Sequence, residues 1–134
     1  MKNRSELREI IMKALYQINI YEEAKVEYDI ENIKHDLLEV ENSFVDETIE
    51  GIIKNKNKLI ELANKYLNNW TIDRLNKVDQ SILLIGIYEL MYTETPSIVS
   101  INEAIELSKK YSEEDVTKMI NGVLDKIYHE ELKN

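Results

Sequence analysis

Hydrophobic positions recur at helical spacing along most of this chain. Leu7, Ile10, Ile11, Ala14, Leu15 and Ile18 follow the i, i+3, i+4, i+7 pattern of one buried face and predict a first helix over residues 3–22. Ile30, Ile33, Leu37 and Leu38 repeat the spacing and predict a short second helix over 29–40. Phe44, Thr48, Ile52, Leu59, Leu62, Ala63 and Tyr66 sketch one long helix over 44–68, with Gly51 and the polar run at 55–58 in its middle. Asn42-Ser43 supplies its start, and Asp46 and Glu47 sit in the first turn, where the helix dipole favours anions. Trp70, Ile72 and Leu75 read as a short helical turn at a corner.

The next stretch differs in kind. Ile82, Leu83, Leu84, Ile85, Ile87, Leu90 and Met91 cover every side of a helix at 79–92, and a helix apolar all round must be buried. A membrane span needs roughly 20 apolar residues, whereas Asp79 and Glu89 bracket a run of under ten. The run therefore predicts a central helix wrapped by amphipathic ones.

After Tyr92, Pro96 breaks the helix, because the residue before proline is pushed out of helical geometry. Ser100-Ile-Asn-Glu103 matches a capping box, with Ser100 as N-cap, opening a helix that turns Ile101, Ala104, Ile105 and Ser108 inward. Ser112-Glu-Glu-Asp115 has the same logic and opens a last helix to about residue 130, with Val116, Ile120, Val123, Leu124 and Ile127 inside. Gly122 is unfavourable in a helix interior, so something approaches closely there, either a packed helix or a ligand. The expectation is an all-α single domain, 1–134, of about seven helices, with no internal repeat and no linker.

Composition agrees. Hydrophobic residues at 43% with 32% charged describe a globular chain, and three glycines and one proline leave little for hairpins. No cysteine is present, which suits a reducing cytoplasm, and no secretion signal or membrane segment is expected. The net charge of −9 argues against nucleic acid until it is divided by segment. Residues 21–50 alone carry −9, whereas 1–20 carry +2 and 51–80 carry +3. Binding of phosphate depends on local clusters of Lys and Arg rather than on the chain total.

Such a cluster opens the chain. Arg4 and Arg8 are four apart and share a helix face, with Lys2 just upstream and Tyr16 able to continue the strip. The alternative is a solvated helix end. His35 and His129 fall in no metal-binding pattern and read as lone surface residues, so neither a metal nor a cofactor is expected.

The order WTIDRLNKVDQSILLIGIYEL, SINEAIELSKKYSEED and KMINGVLDKI, with RSELREIIMKALYQ at the front, resembles the NusB family of bacterial transcription antitermination factors. The likeness covers the first helix and residues 70–128, while 22–65 match only in helical pattern. It implies two three-helix bundles sharing one core around the buried central helix. It also implies binding of the boxA element of nascent ribosomal RNA transcripts, as single-stranded RNA, jointly with NusE, the ribosomal small-subunit protein. That complex joins RNA polymerase and suppresses termination.

By the same resemblance, the RNA-facing residues are Lys2, Arg4, Arg8 and Tyr16, with Asp115, Lys118 and Met119 at the start of the last helix. The NusE-facing surface begins at Asp79 and includes Tyr88 and Glu89. The cationic strip at the front is expected to meet the start of the last helix. There are departures: Ser5 and Glu6 stand between the bases, Met119 replaces a frequent Phe, Leu84 a frequent Arg and Gln80 a frequent basic residue.

The second reading is a helical protein–protein adaptor or homo-oligomer without direct RNA binding, and some family members self-associate over the RNA surface. Catalysis is not expected. NusB-like domains front some RNA methyltransferases, but those need a Gly-rich cofactor-binding domain, and this chain holds no GxGxxG and no Ser/His/Asp or Cys/His set.

Overall fold

The computed structural model describes residues 2–133. Seven α-helices follow in order: α1 (Arg4–Ala24), α2 (Ile30–Leu37), α3 (Ser43–Lys54), α4 (Lys56–Tyr66), α5 (Lys77–Tyr92), α6 (Ser97–Tyr111) and α7 (Glu114–Ile127). A 3-10 turn at Ile72–Arg74 precedes α5, and a wide π-type turn at Tyr128–Leu132 follows α7.

The middle of the molecule is α5. It packs against α1 and α3 on the one hand and against α4, α6 and α7 on the other. α2 rests on α1, and α7 rests on α4 and α6, so two groups of three helices share α5. Ile82, Leu83, Ile85 and Ile87 are each at most 2% exposed, as a helix with no polar stripe requires. Gly86 is part of that packing: a Cβ there would lie 2.9 Å from Leu124 Cδ1 and 3.3 Å from Ala104.

Three local expectations are corrected. The long helix over 44–68 is two helices, because Asn55 interrupts it. Both its backbone N–H and its side-chain Nδ2 donate to the Gly51 carbonyl, at 3.0 and 2.8 Å, so the amide competes with helix continuation.

Ser100 is not an N-cap. α6 starts directly after Pro96, the Ser100 N–H donates to the Pro96 carbonyl at 3.0 Å, and the side chain is buried inside the helix. Its Oγ has no hydrogen-bond partner. Ser112 does not cap α7 either. Its hydroxyl donates to the Asp79 carboxylate, and α7 begins after Glu113 without a side-chain cap. The capping box that does form lies at α1: Asn3 accepts from the Glu6 N–H at 2.9 Å, and Glu6 accepts from the Asn3 N–H at 3.1 Å.

Candidate nucleic-acid interface

The front of the chain carries two exposed bases, Lys2 just ahead of α1 and Arg4 as its first residue. The Arg4 guanidinium lies 4.0 Å from the centroid of the Phe44 ring on α3, a cation–π contact that orients the charge without neutralising it. Lys2 and Arg4, with Leu7, Leu38 and Val40, line a depression of about 870 Å³ between α1 and the segment joining α2 to α3. Leu7, Leu37, Leu38 and Val40 make the apolar part of its wall, and Glu39 and Glu41 also line it.

Arg8 is a correction. It is 4% exposed and donates to Glu89 through Nε at 2.7 Å and NH2 at 2.8 Å, and to Glu103 through NH1 at 3.1 Å. Burial pulls the Arg8 pKa down, but the hydrogen bonds and charges of Glu89 and Glu103 outweigh it and hold the group above its ordinary value. Arg8 is thus structural charge, committed to a bidentate pair, and offers no free donor face to a phosphate.

Glu89 is corrected by the same contact. Expected on a partner-facing surface, it is 1% exposed and sealed against Arg8. Asp79 is buried too, holding Ser112 and thereby tying the first turn of α5 to the root of α7. Tyr88 is half-buried. Its ring stacks on exposed Tyr92 with centroids 5.6 Å apart, and its hydroxyl fills the space over Gly51 that a Cβ would occupy. Burial, then Glu47, raises its pKa.

Tyr16 is exposed on α1, as are Asp115 and Lys118 on α7, while Met119 is half-buried. Lys118 lies 3.6 Å from Glu114 and borders a second depression, of about 650 Å³, with Ile105, Lys109 and Thr117. Tyr111, the residue before the root of α7, reaches Glu9, five residues past Arg4, while Ser112 bonds Asp79, whose neighbour Gln80 bonds Asn19 at 3.3 Å.

Glu9 is the centre of a cluster that sequence reasoning missed. Lys110 donates to Glu9 at 2.7 Å, the Tyr111 hydroxyl donates to the same carboxylate, and Lys13 lies 3.9 Å from it. Lys110, then Tyr111, holds the Glu9 pKa below its ordinary value, and Glu9 in turn pushes Tyr111 up to about 12. The only hint in the sequence was the Lys109-Lys110-Tyr111 run at a helix end.

His35 is not alone: Glu31, one turn earlier, and Glu41 place their oxygens within 4.8 Å of its ring nitrogen. These three exposed groups could hold a cation, although Glu31 already pairs with Lys34 at 2.8 Å. Among the described residues no helix is long and apolar enough to cross a membrane.

Comparison with known proteins supplies the frame for this surface. A family model described as the NusB family matches residues 5–129. Transcription antitermination protein NusB of Listeria innocua is 40% identical over 129 residues, which cover 96% of this chain and 98% of that protein. A solved NusB structure from T. maritima superposes with a TM-score of 0.81 at 34% identity, covering 97% of this chain and 94% of that one. A further structure, described as antitermination factors NusB and NusE in complex with dsRNA, shares the fold with a TM-score of 0.79 at 21% identity, over 94% of this chain and 96% of that one. On the match over residues 5–129 and the near-complete coverage by its relatives, the chain belongs to the NusB family.

Proposed function

We propose that this protein is a cytoplasmic transcription antitermination factor that binds boxA RNA of nascent ribosomal RNA transcripts together with NusE and joins the RNA polymerase complex. The observation that carries the reading is the exposed Lys2 and Arg4, with Arg4 held over the Phe44 ring, beside a depression with an apolar wall, in a chain of the NusB family. The structure of NusB and NusE in complex with dsRNA supports RNA and NusE as partners.

Cations neutralise phosphates, and apolar walls accept unstacked bases of a single strand. Lys2 and Arg4 contact the strand at one end of α1. Tyr16 contacts it further along α1, and Lys118, Met119 and Asp115 contact it from the start of α7. Arg8 acts by holding α1 in place. Tyr88, through its stack with Tyr92, is the residue of α5 that faces NusE, while Asp79 and Glu89 support that surface from inside.

The test is assembly. The protein, NusE and a short boxA-type RNA should form a ternary complex tighter than either pair, and Arg4→Glu should weaken it. Equal affinity for boxA and for a scrambled RNA, or full binding by Arg4→Glu, overturns the reading.

A second reading, a protein adaptor or homo-oligomer, draws on Ile98, 70% exposed at the start of α6, close in sequence to exposed Tyr92. Sizing the protein with and without RNA separates the two. A dimer that RNA splits belongs to the first reading, and one indifferent to RNA belongs to the second.

A further inference from the structure

Two of the three glycines are accounted for by contacts within the chain: Tyr88 lies over Gly51, and Leu124 lies over Gly86. Gly122 is different. It sits inside α7, where glycine is the poorest helix former after proline, yet a Cβ built on it would meet nothing within 4 Å. Internal packing therefore does not require it.

The space beside Gly122 is a groove of about 260 Å³ between α7 and the end of α4, lined by Tyr66, Leu67, Trp70, Met119 and Lys126. Trp70 is the only tryptophan in the chain and is 41% exposed, unusual for so large an apolar ring. The Arg74 guanidinium carbon lies 4.7 Å from its ring centroid, which fixes the indole and sets a cation beside it.

From this geometry we propose that the Trp70–Gly122 groove is a stacking site for one unstacked base of single-stranded RNA, continuing the proposed path past Met119, which lines the groove. This rests on the RNA-binding reading above. The exposed indole supplies a flat π surface, and the thioether of Met119 supplies an apolar wall. The missing side chain at Gly122 lets the base or its sugar approach the α7 backbone. Lys126 lines the groove and Arg74 sits over the indole, two cations for the flanking phosphates. Base–aromatic stacking tolerates any sequence, because every base has a π face. The groove adds affinity and length of contact rather than sequence discrimination.

The experiment uses the full chain with NusE and a labelled boxA-type RNA, and measures RNA affinity for three variants. Trp70→Ala should weaken binding by roughly 5- to 150-fold, the range for losing one stacked base. Trp70→Phe should restore most of that loss. A Cβ at Gly122 would meet nothing within 4 Å, so Gly122→Met, which projects into the groove, should weaken RNA binding while a thermal melt shows the fold retained. In the isolated chain, emission from the single Trp70 should be quenched on addition of RNA.

Unchanged RNA affinity in Trp70→Ala and Gly122→Met, with Arg4→Glu still defective, overturns the groove and leaves the RNA reading intact. Loss of NusE binding without loss of RNA binding reassigns the groove to a protein contact and overturns the proposal equally. If the unmodified protein with NusE binds no RNA, the RNA reading itself fails, and the groove proposal fails with it.

Discussion

Arg8 and Glu89 form a charge pair withdrawn from water, at 4% and 1% exposure, and each makes two of its bonds to the other. A buried pair is worth little net, but breaking it strands a charge. Arg8→Ala should therefore cost about 3–5 kcal/mol in chemical denaturation, whereas Arg8→Met with Glu89→Leu should recover most of the loss. A comparably small cost for the single variant would mean that water reaches the site.

Ser100 gives the opposite sign. Read from sequence as a helix cap, its replacement by Ala would cost about 1 kcal/mol. Its buried hydroxyl has no partner, so Ser100→Ala should instead leave stability unchanged or raise it by up to about 1 kcal/mol. A thermal melt read against the unmodified protein decides between the two. Both residues show where sequence reasoning stops. Arg8 falls on the same helical face as Ile11, Met12 and Leu15, a sign of burial that periodicity did contain. Its partner, 81 residues away, was not visible. Glu103 had been assigned to the Ser100 cap and is instead drawn to Arg8 and Ser5.

At the level of elements, α5 was legible because burial on all sides leaves a pattern no other arrangement explains, and the structure extends it by only two residues at its start. The break at Asn55 was not legible, because an apolar stripe continues through it and one side-chain amide decides the matter. The junction of α1 with α6 was equally hidden, since it consists of exposed polar residues about a hundred positions apart: Glu9 with Lys110 and Tyr111. That junction makes a pH-dependent contribution of known sign. Glu9 titrates below its ordinary 4.5 in the folded state. Its contribution is therefore fully present above that value and is lost as pH falls through the lowered folded pKa. Denaturant melts of the unmodified protein and Glu9→Gln should differ by a constant amount at neutral pH and converge in acid. Divergence on acidification would contradict the assigned bonds.

For the whole molecule the question is how a chain of net charge −9 attracts RNA. Attraction at contact depends on the few exposed cations, and the acidic excess acts as a background that salt screens. Lys2, Arg4 and Lys118 are the proposed phosphate contacts once Arg8 is withdrawn. At about 0.7 per contact for a single strand, these three alone give a slope of log K against log salt near −2, and engagement of Lys126 and Arg74 at the Trp70–Gly122 groove steepens it to about −3.5.

The same reasoning assigns a role to part of the acidic segment. Glu39 and Glu41 line the Arg4 depression, so a phosphate entering it meets two carboxylates as well as two bases. Through solvent, each like-charge contact costs on the order of 1 kcal/mol or less. Glu39→Gln with Glu41→Gln should therefore tighten RNA binding several-fold in low salt and leave it nearly unchanged in high salt. Anisotropy titrations across a salt series measure both the slope and the gain. A gain that persisted undiminished at high salt would locate the effect in packing rather than in charge.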